Sequence, residues 1–317
     1  MSVRAMAVLK TENLTKVYKR GLKRGKFTAL QNLNIEVQEG EIFGFLGPNG
    51  AGKTTTMKIL LRLLTPTEGT AYILGTNIRE APTRLHLGYM PENPYFYRFL
   101  TGGEFLKFFT RLNKIPPADR EHRISELLEW VGMSHARNVQ IKEYSKGMVQ
   151  RIGLAQALMH DPKLVLLDEP LSGVDPIGRK EIRDLIYRLK EQGRTIFFCS
   201  HILSDVQDIC DRVAILHHGK LLKLGPLDQL LGRPDERVHI ELRLPEGMSA
   251  ADLGAEGEVQ NHILKLNLPN TEETRQKSNG WREKGVELLA YVPQRMTLEE
   301  LFVDTIRTSD PNVALET

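Results

Sequence analysis

Short apolar runs alternate with helically spaced apolar residues along most of the chain. The runs at 42–46, 164–167 and 195–199 are almost wholly apolar and have strand length, as in a sheet that is covered on both faces. After the first run, apolar residues recur at the i, i+3, i+4, i+7 spacing of one helix face: Met57, Leu60, Leu61 and Leu64. This alternation predicts an α/β fold in which helices pack on a sheet.

The pattern differs before and within this alternating region. Residues 5–45 indicate strands interrupted by a polar insert, which contains the basic run 19–26. We interpret that run as a solvated loop, with lipid headgroups or an acidic partner as the alternative. Aromatic and apolar residues at 97–128, interrupted by Pro116-Pro117, predict helices of a separate lobe, and we expect most of these aromatics in a core.

The turn sequence Gly-Arg-Pro at 232–234 predicts a linker to a third region. Two alternating strand patterns, a helical pattern, a third strand pattern and a capped helix start follow in this order: 238–244, 262–268, 272–284, 286–292 and 297–302. We therefore predict a small α/β unit over 236–308, with the possible order βαββαβ. A flexible tail is expected at 309–317.

Composition narrows the class of protein. The chain has 317 residues, of which 41% are hydrophobic and 26% charged, as in a globular protein of more than one domain. A net charge of +3 gives no reason to expect nucleic-acid binding. Cys199 and Cys210 predict reduced thiols and a cytoplasmic protein. Without a long apolar run or a signal-peptide pattern, we expect any transmembrane pore to belong to another chain.

A glycine-rich segment, GPNGAGKT, lies between the run at 42–46 and the first helical pattern. Its glycines let consecutive backbone N–H groups face phosphate oxygens, and the helix start adds its positive dipole end. Lys53 supplies a cation, and Thr54 offers a hydroxyl to Mg²⁺. The predicted phosphate-binding residues are Gly47, Pro48, Asn49, Gly50, Ala51, Gly52, Lys53, Thr54 and Thr55. The segment predicts a nucleoside triphosphate site, and a plain glycine-rich turn is the alternative.

Two carboxylates and a histidine end apolar strands further along. Asp168 and Glu169 close one strand, where the first carboxylate can hold Mg²⁺ and the second can orient or deprotonate water. Ser200 and His201 close the strand at 195–199. A single histidine at a strand end is more often structural than catalytic, so its role depends on what lies near it in the fold.

Two more segments carry candidate anion-binding groups. Ser145 and Gly147 open a helix, a geometry that binds anions but also describes an ordinary helix cap. The segment Ser172-Gly173-Val174-Asp175 follows the carboxylate pair. Neither segment is specific on its own, and each gains meaning only from its place in the series.

Taken in order, the segments resemble the nucleotide-binding subunit of ATP-binding cassette (ABC) transporters over residues 7–230. The matching segments are Tyr18 for the adenine-stacking aromatic, GPNGAGKTT for Walker A, GYMPENPYF for the Q-loop, YSKGM for the signature, LVLLDEP for Walker B, SGVD for the D-loop and Ser200-His201 for the switch histidine. Glu92 replaces the Q-loop Gln, and Lys146 and Met148 replace a Gly and the Gln of the LSGGQ signature. These departures resemble the branch that serves bacterial ABC-2 type exporters.

The resemblance implies a fold and a set of residue roles. It predicts a P-loop NTPase domain at 1–231, with a RecA-like core, an antiparallel β subdomain and a helical subdomain at 93–160. The implied roles are Tyr18 for adenine; Gly47 to Thr55 for phosphates; Thr54, Glu92 and Asp168 for Mg²⁺; Glu169 and His201 for catalysis; and Ser145, Gly147 and Asp175 for ATP held across a dimer. For Glu92 the alternative is an outward side chain paired with a base such as Arg98.

ATP and Mg²⁺ are therefore the expected cofactors, and the resemblance implies a homodimer that sandwiches ATP. It also implies a polytopic membrane permease as partner, contacted by the helical lobe near Tyr95 to Thr101, at the inner face of the cell membrane. Export is favoured over import, and the substrate is not encoded in this chain. The alternatives are a soluble ABC ATPase acting on ribosomes or DNA, which usually carries two cassettes, and a simple P-loop kinase or GTPase, which would leave the signature and histidine unexplained.

Overall fold

The computed structural model describes residues 7–19, 25–80, 86–94, 96–233, 236–255 and 257–309. The chain divides into two units, each described by itself. The first extends to Pro226 and includes the end of the last helix from Thr305, and the second comprises Leu227–Asp304. Most of the predicted tail and of the basic run lies outside the described residues.

Strands and helices alternate through most of the first unit. Its strands are β1 (Ala7–Lys19), β2 (Lys26–Leu33), β3 (Glu36–Gln38), β4 (Ile42–Leu46), β5 (Glu68–Ile73), β6 (Thr76–Asn77), β7 (Leu87–Met90), β8 (Leu164–Asp168), β9 (Thr195–Ser200), β10 (Arg212–His217) and β11 (Lys220–Pro226). Its helices are α1 (Lys53–Leu60), α2 (Gly102–Leu112), α3 (Arg120–Trp130), α4 (Lys146–Ala157), α5 (Pro176–Glu191) and α6 (Leu203–Ile209).

The central sheet of this unit is mainly parallel. Its strand order is β11-β10-β4-β9-β8-β7, and only β11 pairs antiparallel, at one edge. Strands β4, β8 and β9 are buried along their whole length. Parallel strands covered on both faces need apolar side chains at every position, which explains the continuous apolar runs that predict them. The predicted α/β fold is confirmed.

A second, antiparallel sheet contains the strands that precede the central ones. Its order is β2-β1-β5-β6, with β3 also paired to β1. In the pairing of β1 with β2, Tyr18 lies opposite Phe27. Residues 20–24, between these strands, are outside the described residues. The polar insert predicted at 19–26 therefore separates two paired strands.

Helix α1 is shorter than its apolar pattern suggests. It ends at Leu60, and Arg62 has a left-handed backbone with φ of 57°. A residue with positive φ cannot continue a right-handed helix, so the prediction that the helix reaches Leu64 is wrong. Met57 and Leu60 are buried, and Leu61 and Leu64 still pack on the same core from the turn that follows.

Helices α2, α3 and α4 follow β7 as the sequence predicts. A capping box between Thr101 and Glu104 fixes the start of α2, because each side chain accepts from the backbone N–H of the other residue. Phe105 is buried, whereas Phe108 on the same helix is 45% exposed. The expectation that these aromatics lie in a core therefore holds for only some of them.

The second unit is built on one antiparallel sheet. Its elements are α7 (Leu227–Leu230), β12 (Arg237–Arg243), β13 (Glu258–Gln260), β14 (Ile263–Pro269), α8 (Glu272–Glu283), β15 (Glu287–Gln294) and the larger part of α9 (Leu298–Ser309). The sheet order is β13-β14-β12-β15, with every pair antiparallel. Alternate residues of β12, including Val238, Ile240 and Leu242, are buried in a core with Trp281.

The suggested order βαββαβ for this unit is wrong. After β12 the chain forms only a 3-10 turn at Ala250–Leu253 and then two more strands, so the described order is βββαβα. Gly247 and Gly254 both have positive φ on either side of that turn, which interrupts any longer helix. Among the described helices of the whole chain, none has the length and apolar character that crossing a bilayer requires.

Candidate active site

The glycine-rich loop connects β4 directly to α1. Gly50 and Gly52 have φ of 82° and 113°, a region that side chains with a Cβ avoid. At Gly47, an added Cβ would lie 2.5 Å from the carbonyl oxygen of Leu216 in the adjacent strand β10. These glycines are therefore required by backbone conformation and close packing, and they hold the loop tightly around the start of α1.

Lys53, the first residue of α1, places its ammonium inside the loop. The residue is buried, and its Nζ donates to the carbonyl oxygen of Gly47 at 2.6 Å. The same nitrogen lies 3.9 Å from Oε1 of Glu169. A buried ammonium needs nearby oxygens, and here they come from the loop itself and from the end of β8. The positive charge is thus fixed between the loop and the carboxylate pair.

The carboxylate pair ends β8 in two different environments. Burial is the main factor that raises the pKa of Asp168 to about 6, and the neighbouring charges of Glu169 and Glu92 raise it further, while Lys53 lowers it. Glu169 has a left-handed backbone with φ of 49°. Such a conformation is unfavourable for a non-glycine residue and is found most often at functional sites. It turns the Glu169 side chain away from the strand direction.

Glu169 and His201 are in contact because β8 and β9 are adjacent parallel strands. Nδ1 of His201 lies 2.8 Å from Oε1 of Glu169, and the hydroxyl of Ser200 donates to Oε2 at 3.2 Å. The backbone N–H of Glu169 also donates to the carbonyl oxygen of Cys199. Glu169 is buried, whereas the imidazole is 45% exposed. The contact leaves Nε2 of the ring as the nitrogen able to meet a ligand.

The glycine-rich loop, Lys53, Asp168 and Glu169 border one cleft of about 230 Å³. The residues predicted from the sequence that line it are Tyr18, Pro48, Asn49, Gly50, Ala51, Gly52, Lys53, Thr54, Thr55, Glu92, Asp168 and Glu169. The ammonium of Lys16 lies 5.3 Å from the centre of the Tyr18 ring. The cleft thus has an aromatic rim at one side, a phosphate loop along its floor and acidic groups beside the loop.

Glu92 lies in the loop after β7 and faces this cleft rather than Arg98. The residue is exposed, and no ion pair joins it to Arg98 in the part of the chain that the structure describes. Thr54, Glu92 and Asp168 present oxygen donors to the same cleft, which suits a hard cation such as Mg²⁺. Among the described residues, no three or more Asp, Glu, His or Cys side chains are placed so that they could hold a metal ion by themselves, so phosphate oxygens would have to complete the coordination.

Comparison with known proteins identifies the family. Residues 30–172 match the ABC transporter family. The chain is 47% identical over 259 residues to an uncharacterized ABC transporter ATP-binding protein of Synechocystis, covering 80% of this chain and 73% of that protein. It is 38% identical over 309 residues to the bacitracin transport ATP-binding protein of Bacillus licheniformis, covering 94% and 97% of the two chains. The chain belongs to the ABC transporter ATP-binding proteins.

A solved structure supports the same assignment. A dimeric ATP-binding cassette in a post-hydrolysis state, bound to ADP and phosphate, matches with a TM-score of 0.63 and 26% identity, covering 69% of this chain and 99% of that chain. Membership of the ABC family implies that the protein binds and hydrolyses ATP. The predicted family and the predicted P-loop cassette fold are therefore confirmed.

Five residues predicted for this ABC protein are not among those that line the cleft: Gly47 and His201, which contact its lining residues Lys53 and Glu169, and Ser145, Gly147 and Asp175. Ser145 is the N-cap of α4 and accepts from the N–H of Met148 at 3.3 Å. Asp175 is the N-cap of α5 and accepts from the N–H groups of Ile177 and Gly178. Gly147 lies beside the loop that precedes Asp175, since an added Cβ would be 3.6 Å from Val174. The signature and the D-loop are neighbours, but they lie outside the cleft of their own chain.

The structure adds site residues that the sequence did not suggest. Phe27 and Ala29 of β2 border the cleft, and Phe27 faces Tyr18 across the strand pair. Ser200 contacts Glu169. Burial, and to a smaller extent the nearby charge of Asp168, raises the pKa of Tyr89 to about 12. Phe27 could have been found as the aromatic that pairs with Tyr18 once a hairpin around 20–24 is assumed. The Tyr89 position depends on strand pairing that no local pattern reveals.

Proposed function

We propose that two copies of this chain hydrolyse ATP between them and power export through a separate membrane subunit of the ABC-2 type. The observation that carries the proposal is the arrangement of Lys53, Asp168 and Glu169 around one cleft, with His201 held against Glu169, while the signature and D-loop lie outside it. One chain thus offers the two halves of a site in different places. A second copy is needed to bring them together.

Within the cleft, we assign adenine contact to Tyr18 and phosphate contact to the loop from Gly47 to Thr55. Thr54, Asp168 and Glu92 would hold Mg²⁺, which offsets phosphate charge when bound. A carboxylate whose pKa lies near 6 is largely ionised at pH 7 and can coordinate a cation. Lys53 would exchange its protein oxygens for phosphate oxygens.

Glu169 is assigned the role of catalytic carboxylate. It is fixed by His201 and Ser200 on one side and lies 3.9 Å from Lys53 on the other, so its oxygens are held at the edge of the phosphate loop. From this position it can orient water or accept a proton from it. With Nδ1–H of His201 directed at Glu169, Nε2 is an acceptor in the neutral ring, so the doubly protonated imidazole is the form that would donate from Nε2 to a γ-phosphate oxygen and report its presence.

Ser145, Gly147 and Asp175 are assigned to the ATP of the partner copy. Each lies at or near a helix start, where backbone N–H groups and the helix dipole favour anions. The dimeric cassette among the similar structures supports assembly of two such chains. We therefore propose a homodimer that closes on ATP and opens after hydrolysis.

The helical lobe provides a surface for the membrane subunit. Tyr97 and Phe99 are 62% and 78% exposed, and Tyr97 packs edge-on against Phe108. Clustered exposed aromatics on a folded surface are typical of a protein contact. We propose that this surface, from Tyr97 to Phe108, binds the permease at the inner face of the membrane; Tyr95, predicted with it, lies outside the described residues.

Export is favoured by the ABC-2-like signature and Glu92 and by a relative named for bacitracin transport that matches over nearly the whole chain. We propose that residues 1–231 form the ATPase domain, with its helical subdomain at 93–160. Residues 236–308 would form an accessory domain that stabilises or regulates the dimer.

Co-purification tests the transport role. The tagged chain is expressed in its native organism, where its membrane partners are present. Phe99→Glu is compared with the control Leu63→Glu, because Leu63 is 67% exposed elsewhere in the same unit. We expect a polytopic membrane protein to co-purify with wild type and Leu63→Glu but not with Phe99→Glu, while all three bind ATP. Co-purification with ribosomes or DNA in place of a membrane protein would contradict the proposal.

A further inference from the structure

A buried carboxylate outside the cleft connects two of the nucleotide motifs. Asp205 lies in α6, one turn after His201, and its side chain is only 3% exposed. Nη2 of Arg179 donates to its Oδ2 at 2.6 Å, and Nη1 of Arg183 lies 3.9 Å from its Oδ1. A carboxylate buried to this extent is retained only with charged partners, so these contacts fix α6 to α5.

Arg179 is close to the D-loop as well as to Asp205. Its backbone N–H donates to the carbonyl oxygen of Asp175 at 2.9 Å in the first turn of α5. The carboxylate of Asp175 in turn caps that helix. Arg179 is therefore fixed one helical turn after Asp175. Its pair with Asp205 connects the helix that follows the D-loop to the helix that follows the switch histidine.

Helix α5 also contacts the signature helix. Arg151 of α4 donates to Glu181 of α5, two residues after Arg179. Near its other end, α5 carries a further ion pair, in which Lys190 lies 2.5 Å from Asp211. The first half of α5 is thus linked to both α4 and α6, whereas the Lys190 pair joins the helix to the chain before β10.

We propose that Asp205 is a positioning residue for ATP hydrolysis, which holds the Asp175 loop and His201 in a fixed relation through Arg179. The inference rests on the function proposed above for those two residues. When His201 meets the γ-phosphate, α6 and its carboxylate move with it, and Arg179 carries that displacement to Asp175. Contact with the γ-phosphate in one ATP site then changes the position of the Asp175 loop, which is proposed to reach the ATP site of the partner copy.

The Arg179–Asp205 pair positions other residues and does not itself contact the nucleotide, so its loss should change kcat and KM differently. Neither residue lines the cleft, and the phosphate loop and Tyr18 are unaffected by their removal. Misplacing groups that act in the transition state lowers kcat, whereas ground-state binding of ATP persists. We expect Asp205→Asn to lower kcat at least about tenfold and to change KM for ATP by less than about twofold.

The experiment measures steady-state ATP hydrolysis by the full chain with excess Mg²⁺. Variants Asp205→Asn, Arg179→Gln and the double variant form a cycle, and the double variant should be no slower than the slower single variant, because both remove one contact. If Asp205→Asn fails to fold, Arg179→Gln still tests the ion pair, because Arg179 is the more exposed of the two partners. Lys190→Met, which removes an ion pair from the same helix, should keep kcat within about twofold of wild type.

Two results would overturn the inference alone. If Asp205→Asn and Arg179→Gln hydrolyse ATP like Lys190→Met while wild type is active and Glu169→Gln is not, the pair has no positioning role and the proposed function stands. Additive losses in the double variant would likewise show two separate effects. A wild-type chain that binds but does not hydrolyse ATP would instead contradict the proposed function.

Discussion

The two units of the chain use buried polar groups in different ways. In the first unit, Lys53, Glu169 and Asp205 are buried and paired with oppositely charged groups, and Asp168 is buried next to Glu169 in the chain. Among the described residues of the second unit up to Asp304, the buried polar side chains are two hydroxyls of α8, Thr274 and Ser278. Both hydroxyls donate to nearby backbone oxygens.

This difference suggests different roles for the two units. Burying charge is unfavourable unless the groups are paired, so a cluster of buried charges persists where function needs it. Hydroxyls that donate to nearby backbone oxygens need no such reason. The contrast indicates that catalysis belongs to the first unit, and that the second is built mainly for packing and surface contact. Matched changes in the two units can break or sharpen this view.

Replacing Glu169, the proposed catalytic carboxylate, should have the largest effect. Glu169→Gln removes the oxygen that can accept a proton while keeping shape and neighbours, so kcat should fall by about a hundredfold or more, with KM for ATP little changed. Glu287→Gln makes the same chemical change in the second unit, at an exposed ion pair with Arg243. It should leave kcat at the wild-type value in the same assay; equal losses would contradict the division of roles.

Two aspartates should change stability with opposite sign. Burial raises the pKa of Asp168, so its ionisation disfavours the fold as pH rises from its ordinary value of 3.8 to about 6. Without nucleotide or Mg²⁺, Asp168→Asn should therefore be more stable than wild type at pH 7.5, by about 2 kcal/mol, with the difference shrinking below pH 6. Urea unfolding at several pH values measures it.

Asp252 provides the contrast in the second unit. Hydrogen bonds from the N–H and hydroxyl of Ser249 lower its pKa. Its ionisation therefore favours the fold, and this stability is present above its ordinary pKa and lost as pH falls through the lowered one. Asp252→Asn should reduce stability at pH 7.5, opposite to Asp168→Asn. Equal signs for the two variants would show that burial does not dominate at Asp168.

The proposed metal contact of Glu92 predicts an intermediate effect. Glu92→Leu should lower hydrolysis about tenfold at limiting Mg²⁺, because a hard cation loses an oxygen ligand, and should leave Mg²⁺-free nucleotide binding unchanged. Glu92→Gln keeps an oxygen and should stay within a few-fold of wild type. A Mg²⁺ titration of the rate compares the three proteins. Identical curves for Leu and wild type would remove Glu92 from the metal site.

Two helix caps give the smallest and most closely matched comparison. Asp175 caps α5 in the first unit and Thr271 caps α8 in the second, each by accepting from backbone N–H groups. Replacement of either by Ala should cost about 1 kcal/mol of stability. Only Asp175→Ala should also weaken ATP-dependent dimer formation. If both caps affect dimer formation equally, Asp175 acts through helix stability alone.

Much of the cleft was predictable because its residues lie in short contiguous segments. The loop from Gly47 to Thr55 requires glycines for its backbone, and Asp168 and Glu169 end an apolar strand, so local sequence carries both signals. The contact of Glu169 with His201 is different. It depends on β8 lying beside β9, and the sequence alone does not state which strands pair.

Predictions failed where one residue decided the backbone. The apolar spacing through Leu64 is helical, but positive φ at Arg62 ends α1. In the second unit, the segment between β12 and β13 has turns at Gly247 and Gly254 that leave room only for a short 3-10 turn. The ion pair of Arg179 with the buried Asp205 could not be predicted either, since charged residues on two helices show no pattern that pairs them.

The central claim is that ATP joins two copies of this chain through groups that one copy cannot bring to its own cleft. Light scattering after gel filtration of Glu169→Gln, with and without ATP and Mg²⁺, tests it directly. We expect the mass of one chain without nucleotide and twice that mass with ATP, and no increase for the double variant Glu169→Gln/Lys53→Ala, which lacks the loop cation. A single-chain mass for Glu169→Gln at saturating bound ATP would contradict the account.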